Sequence, residues 1–183
     1  ELKNMKIKKL KFDGFYLIKP NVFKDFRGTF RRHFCLQTLK KKNINLEVAQ
    51  GNISESLLKG TLRGFHYKKK PTKEYKILSC LSGSIYHVAV DLRKKSKTYK
   101  KHFSIKLKSS EYSSLIIPPM CANAFLTLEN STMIHYYMGD YFDKNNYFGF
   151  RYNDPSFKIR WPFEPKIINN RDKNYKDLIF WKI

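Results

Sequence analysis

The residues with the greatest chemical potential in this chain stand inside strand-like runs rather than in loops. His66 lies within Thr61–Tyr67 and Tyr136 within Met133–Met138, each among apolar neighbours. Strand geometry puts Leu62, Gly64 and His66 on one side, Arg63, Phe65 and Tyr67 on the other, and groups Ile134, Tyr136 and Met138. An imidazole exchanges protons near neutral pH, and a phenol can donate one. A single buried His or Tyr ordinarily needs only a hydrogen-bond partner, so neither identifies a site by itself. Metal ligation has little support. His33, His66, His87, His102 and His135 show no recognisable ligand spacing, and no two of Cys35, Cys80 and Cys121 form a C-x-x-C pair. His87 and His135, inside strand-like runs, are expected to pack in the core or on a sheet face.

Short β-rich runs must position these groups. They are Phe15–Ile18, Glu47–Ser54, Thr61–Tyr67, Tyr75–Leu81, Ile85–Leu92, His102–Leu107, Leu115–Ile117, Ala124–Leu128 and Met133–Met138, separated by turn residues. That spacing predicts an all-β sandwich or barrel. Ser82-Gly83 is expected to be a hairpin turn, because Gly accepts positive φ. Helices are expected only at Phe34–Lys42 and Asp172–Phe180. Asp91 and Arg93 are expected to pair near a strand end, and Asp154-Pro155 to form a turn that positions the C-terminal segment.

At 183 residues the chain predicts a single domain spanning 1–183, with no internal repeat or linker. Aromatic content of 16% excludes disorder. The net charge of +22 raises the question of nucleic-acid binding, but the lysines are scattered in short runs without any recognition motif. Together with abundant Asn and Ile they read as the coding bias of an AT-rich genome. A positive field would still steer an anionic substrate. The odd number of cysteines fits a reducing cytoplasm. No apolar stretch is long enough for a membrane span and no signal peptide is expected; Met5 is a candidate natural start.

Several fragments in order carry a resemblance. They are Asp25-Phe26-Arg27-Gly28-Thr29-Phe30, then Gln50-Gly51-Asn52-Ile53-Ser54-Glu55-Ser56, Leu62-Arg63-Gly64-Phe65-His66-Tyr67 and Glu74-Tyr75-Lys76. Val90 to Ser96, Ile117-Pro118-Pro119 with Asn123-Ala124-Phe125, and Tyr152-Asn153-Asp154-Pro155 before Trp161-Pro162 follow. From about Phe12 to Asp172 the chain resembles the dTDP-4-dehydrorhamnose 3,5-epimerases. The resemblance implies a cupin-like jelly roll (double-stranded β-helix) with a few short helices, working without metal or other cofactor.

It also implies roles. A hydrogen on carbon 3 or carbon 5 of a 4-keto sugar is acidic because the adjacent carbonyl can hold the charge as an enolate, so the reaction needs a base, an enolate stabiliser and an acid. His66 matches the family's base and Asp172 the carboxylate that orients it. Lys76 matches the cation near the ketone oxygen, and Tyr136 the acid on the opposite face. Arg27 and Arg63 match positions that hold the diphosphate, where a guanidinium fork suits phosphate oxygens. Gln50 and Asn52 complete the polar wall. The resemblance further implies a nucleotide-diphosphate sugar as substrate, a homodimer sharing N-terminal strands such as Lys6–Phe12, and a product passed to a reductase and then to a surface polysaccharide. Neither nucleic acid nor a membrane is an implied partner.

The chain departs from the family where Asn123 stands for His, Phe142 for a second Tyr and Arg32 for Glu. Asn donates a hydrogen bond but carries no charge, so inversion at carbon 3 alone stays open beside double epimerisation. Arg32, near the expected nucleotide pocket, leaves dTDP and GDP both open, and the sugar is a hexose or a heptose. Two further classes remain. A 3,4-ketoisomerase of the same substrates ordinarily pairs histidines as H-x-H, against which His66-Tyr67-Lys68 argues. A non-catalytic sugar- or nucleic-acid-binding domain gives no reason for His66, Lys76, Tyr136 and Asp172 together.

Overall fold

A computed structural model describes residues 5–178. Its strands are β1 (Lys6–Lys9), β2 (Tyr16–Lys19), β3 (Val22–Asp25), β4 (Gly28–Arg31), β5 (Gln50–Ser56), β6 (Thr61–Lys68), β7 (Lys76–Ser82), β8 (Ser84–Asp91), β9 (His102–Lys108), β10 (Ser114–Ile117), β11 (Cys121–Thr127), β12 (Thr132–Met138), β13 (Tyr147–Gly149) and β14 (Ile167–Ile168). One sheet runs β1-β2-β10-β7-β12-β5 and a second runs β13-β6-β11-β8-β9, with β14 added in parallel to β6. The hairpin β3–β4 pairs only with itself.

The central strands are covered on both faces, which explains why β8 and β10 are buried almost throughout rather than at alternate residues. Between the sheets lie Phe15, Leu78, Ile85, Ala89, Leu115, Phe125 and Ile134. Alternate residues of the same strands point outwards. Val88 and Val90 pack with Phe65, Phe150 and Leu178 under the C-terminal segment, while Ile77 and Ile116 pack with Leu39, Ile44 and Leu46.

The expected strands are found with small shifts at their ends, and three local expectations are corrected. Ser82-Gly83 does not close a hairpin, because β7 and β8 belong to different sheets. Gly83, at φ +71°, turns the chain across the sandwich, and a Cβ there would meet Thr132 Oγ1 at 2.5 Å. The first expected helix shortens to α1 (Leu36–Lys40). The last becomes α2 (Asn170–Lys173), since Asn169 Oδ1 caps the Asp172 N–H at 2.7 Å and starts the helix early. Beyond it the Arg151 N–H bonds the Lys176 carbonyl and the Leu178 N–H bonds Asp154 Oδ2, which commits that backbone to other partners. Residues 179–180 of that expected helix lie outside the described residues. β3, β4, β13 and β14 were not anticipated.

Asp154 is buried and accepts from both the Ser156 and Leu178 N–H groups, as its expected positioning role requires. Asp91 and Arg93 form the expected pair. The Asp91 carboxylate, wholly buried, takes hydrogen bonds from Arg93 Nε and Nη2 at 2.9 and 2.8 Å, and from Ser96 and Thr98 hydroxyls at 2.6 Å each. Arg93 Nη2 also reaches the Asp13 carbonyl at 2.7 Å, tying the N-terminal strands to the second sheet. Burial opposes ionisation of Asp91, but the bonds from Arg93, Ser96 and Thr98 outweigh it and hold the carboxyl down at about 2. A folded-state value below the unfolded 3.8 gives stability that is complete above about pH 4 and disappears as pH falls towards 2. Asp91→Asn should therefore cost about 2 kcal/mol at pH 7. Denaturant titrations should show the gap from wild type closing near pH 2.

Candidate active site

Two walls of one cavity of about 430 Å³ come from opposing sheets. The first sheet contributes Gln50, Asn52 and Ser54 from β5, Lys76 and Leu78 from β7, and Tyr136 and Met138 from β12. Strict alternation brings these forward, and register aligns them in rows: Tyr136 lies beside Asn52 and Leu78, and Met138 beside Gln50 and Lys76. The second sheet contributes Arg63 and His66 from β6 and Asn123 and Phe125 from β11. Phe142, Tyr147 and Arg171 complete the lining.

On β6 the alternation expected from sequence fails. His66 pairs with Asn123 and Arg63 with Phe125, so three steps of β6 oppose two of β11. This bulge sends Phe65 and Tyr67 to the outer core and brings both Arg63 and His66 into the cavity. Gly64 makes it possible. Its φ is +109°, and a Cβ would sit 2.5 Å from the Asn123 carbonyl oxygen and 2.8 Å from Ala124 Cα.

Asp172 fixes the imidazole. Its fully buried carboxylate accepts from His66 Nε2 at 2.8 Å and from the Gly64 N–H at 2.9 Å. Burial works against the charge on Asp172, but the His66 hydrogen bond and charge, the Gly64 N–H and Arg171 together hold its pKa below the usual carboxylate value. An ionised acceptor places a hydrogen on Nε2, which leaves the other ring nitrogen of His66 with the lone pair. Arg171 Nε lies 3.2 Å from the same carboxylate, and its Nη2 lies 3.1 Å from His66 Nε2. On the facing wall, burial raises the pKa of Tyr136, the Arg63 charge works in the other direction, and Glu74 raises it further. The phenol is therefore protonated at neutral pH. Lys76 Nζ stands 3.2 Å from Glu74 Oε1.

Around this centre Gln50 Oε1 accepts from the Phe142 N–H at 2.9 Å, and Gln50 Nε2 donates to Asn52 Oδ1 at 3.3 Å. Asn52 Nδ2 reaches Met138 Sδ and Asn123 Nδ2 reaches the His66 carbonyl, at 3.3 and 3.4 Å. Arg63 is anchored by Ser56 Oγ and the Glu55 carbonyl. Among the described residues no cluster of His, Cys, Asp and Glu is placed to hold a metal ion.

Comparisons with known proteins agree with this geometry. The family model for dTDP-4-dehydrorhamnose 3,5-epimerase matches residues 9–179. The chain belongs to this epimerase family. A dTDP-4-dehydrorhamnose 3,5-epimerase of Methanothermobacter thermautotrophicus is 31% identical over 93% of this chain and 92% of its own length. The corresponding enzyme of Bacillus anthracis, solved with TDP and pyrophosphate, superposes with a TM-score of 0.92 at 31% identity, covering 96% of this chain and all of the other. A Legionella pneumophila dTDP-6-deoxy-D-glucose-3,5-epimerase, solved with dTDP-4-keto-L-rhamnose, gives 0.89 at 30%, covering 95% and 93% of the two chains.

The epimerase fold thus brings together His66, Asp172, Lys76, Tyr136, Arg63, Gln50, Asn52, Asn123 and Phe142 as expected. Two expected ligand residues lie away from this cavity, which corrects their placement within the chain. Arg27 lies on the exposed turn of the β3–β4 hairpin, paired with Asp25 at 2.7 Å, and Arg32 follows that hairpin; neither lines the cavity of its own chain. The physical reason is that β3 and β4 pair with no strand of either sheet, so nothing within the chain holds them over the site. Conversely, Arg171, Ser54, Phe125 and Tyr147 line the cavity without having been singled out. Adjacency to Asp172 was the available signal for Arg171; Tyr147 follows an irregular segment and gave none. His87 is buried, and His135 packs on a sheet face against Tyr137 and His33, as their positions in strand-like runs imply.

Gly64→Ala should lower stability by about 2 kcal/mol or more, because the residue is strained at that φ and its methyl meets backbone. Calorimetry would measure this, and a crystal structure of the variant should show His66 displaced from Asp172.

Proposed function

We propose that this protein epimerises a nucleotide-linked 4-keto-6-deoxy sugar at a carbon beside its ketone. One observation carries the reading: a carboxylate-oriented imidazole on one sheet and a protonated phenol with an ammonium group on the other face each other across a single cavity.

His66, through the nitrogen not bonded to Asp172, removes the hydrogen from the carbon as a proton. The C–H electron pair moves into the new carbon–carbon double bond, and the carbonyl π pair moves onto oxygen to give the enolate. Lys76 stabilises that oxygen. Tyr136 then returns a proton to the other face of the carbon, so configuration inverts while no electrons are gained or lost. Asp172 supports the imidazolium formed in the first step. Arg63 and Arg171 are the cations for the diphosphate, and Gln50, Asn52 and Asn123 supply polar contacts to the sugar. The exposed ring of Phe142 offers a stacking face to the nucleobase. The names of the relatives favour dTDP as the carrier.

A second reading concerns stereochemistry. Asn123 and Phe142 carry no ionisable proton at neutral pH, which favours inversion at carbon 3 alone. We further propose a homodimer acting in the cytoplasm. Phe23, Phe26 and Phe30 stand exposed on the self-paired hairpin, Phe26 at 97%, and Ile53 is exposed on edge strand β5. A second copy covering this surface would place the hairpin, with Arg27, near the other protomer's site. β1, at the edge of its sheet with only one side paired, offers a second candidate strand for that exchange.

Incubation with dTDP-4-keto-6-deoxyglucose in heavy water should place deuterium beside the ketone, at one carbon or two according to the number of centres inverted; absence of deuterium there refutes the activity for that substrate. His66→Ala should slow wash-in by roughly 10²–10⁴-fold with the fold intact. Sedimentation at micromolar concentration should give a dimer, and a monomer alone would remove the shared-hairpin arrangement.

A further inference from the structure

Lys76 reaches the cavity on a four-carbon stem that carries about 2 kcal/mol of rotamer entropy. An enolate stabiliser must nevertheless be placed to within about 1 Å, because misplacement on that scale costs roughly 10²-fold in rate. Something must restrain the stem. Glu74, two residues before the start of β7, puts Oε1 3.2 Å from Lys76 Nζ, with both side chains nearly inaccessible to solvent. The same oxygen accepts the Tyr147 hydroxyl at 2.5 Å. Tyr147 belongs to β13, which pairs with β6, so its position is set by the sheet that carries His66. Its ring centroid stands 5.1 Å from Lys76 Nζ, and the Phe142 ring packs against it with centroids 5.0 Å apart. Thr72 Oγ1 accepts from the Glu74 N–H at 3.0 Å and holds the loop.

We infer that Glu74 and Tyr147 act as a clamp that fixes the Lys76 ammonium group for catalysis, Tyr147 acting through the Glu74 carboxylate. The inference rests on the epimerase reading for its effect on rate. Three observations support a placing role. A buried ion pair contributes little net stability, because desolvation cancels most of the attraction, whereas it fixes geometry well. Glu74 Oε2 has no hydrogen-bond partner among the described residues, so the carboxylate is committed through one oxygen to Lys76 and Tyr147. Burial, and then Glu74 itself, push the Tyr147 phenol well above its usual range, so it stays a hydrogen-bond donor to Glu74 and is a poor proton source. His87 also lies near Lys76 but is no substitute for Glu74. It is fully buried without a partner for either ring nitrogen among the described residues, and burial, aided by the Lys76 charge, holds its pKa near 3, so the ring is neutral.

Glu74→Gln keeps the shape of the clamp and removes its charge, and Tyr147→Phe keeps the ring and removes the hydroxyl. In deuterium wash-in with dTDP-4-keto-6-deoxyglucose, Glu74→Gln should lower kcat by roughly 10- to 100-fold and Tyr147→Phe by about 3- to 10-fold, with KM within about threefold of wild type. The double variant should match Glu74→Gln to within about 1.5-fold, since one residue acts through the other. Both kcat values within twofold of wild type, a loss carried by KM, or multiplying effects in the double variant would each overturn the clamp. Substrate-free protein labelled with ¹⁵N-lysine gives a second readout. The Lys76 ammonium resonance, slowed in exchange by burial, should be visible in wild type and broadened away in both variants. Its persistence in Glu74→Gln and Tyr147→Phe overturns the clamp whether or not the protein is active. A wild type without wash-in refutes the activity on this substrate, and the resonance then decides the clamp alone.

Discussion

The approach of Gly64 to the backbone of β11 is the constraint on which the rest of the site depends. Ordinary alternation would leave Arg63 and His66 on opposite faces of β6. The bulge at Gly64 puts both on one face, where they line the same cavity. The Gly64 N–H meanwhile donates to Asp172, so the deviation that turns His66 inwards also anchors the carboxylate that orients it. Only a residue without a side chain fits between Asn123 and Ala124 at that φ.

From that point the site divides its labour between two sheets. The second sheet holds His66, and the Asp172 carboxylate bonded to it is delivered from α2 at the far end of the sequence. The first sheet holds Lys76 and Tyr136 on adjacent, regularly paired strands β7 and β12. Regular pairing is sufficient there because both residues obey the two-residue period, and the sandwich supplies the opposition of faces that inversion at carbon requires. The apolar residues between the sheets, among them Leu78, Phe125 and Ile134, set the separation of the walls. Leu78 and Phe125 also line the cavity, so core and site are continuous.

Charge in the cavity is handled by pairing rather than by exposure. Asp172 is satisfied by His66, Gly64 and Arg171, and Lys76 by Glu74. Asp91, remote from the cavity, has the same design with Arg93, Ser96 and Thr98, and there it serves the junction between the N-terminal strands and the second sheet. In each case several donors converge on one buried carboxylate, the arrangement that makes a buried charge tolerable. The large positive net charge of the chain enters neither arrangement and resides mainly on solvated lysines.

By itself the sequence determined the β-rich class and the strands that carry His66 and Tyr136, because apolar periodicity is a local property of the chain, and its ordered motifs, through their resemblance to the epimerases, pointed to His66, Lys76, Tyr136 and Asp172. It also indicated the Asp91–Arg93 pair and the Asp154 turn, whose partners are near or whose residue types are distinctive. What only the tertiary structure decided depends on separations that no local pattern records. Crossing at Gly83 instead of a hairpin follows from which sheet each strand joins, and the shortened α2 follows from backbone bonds to residues 151 and 154. The common face of Arg63 and His66 needs the partner strand's register, the removal of Arg27 and Arg32 from their own cavity needs the unpaired hairpin, and the entry of Tyr147 needs β13 against β6. Periodicity tells a strand which residues alternate; the strand beside it decides where the alternation breaks.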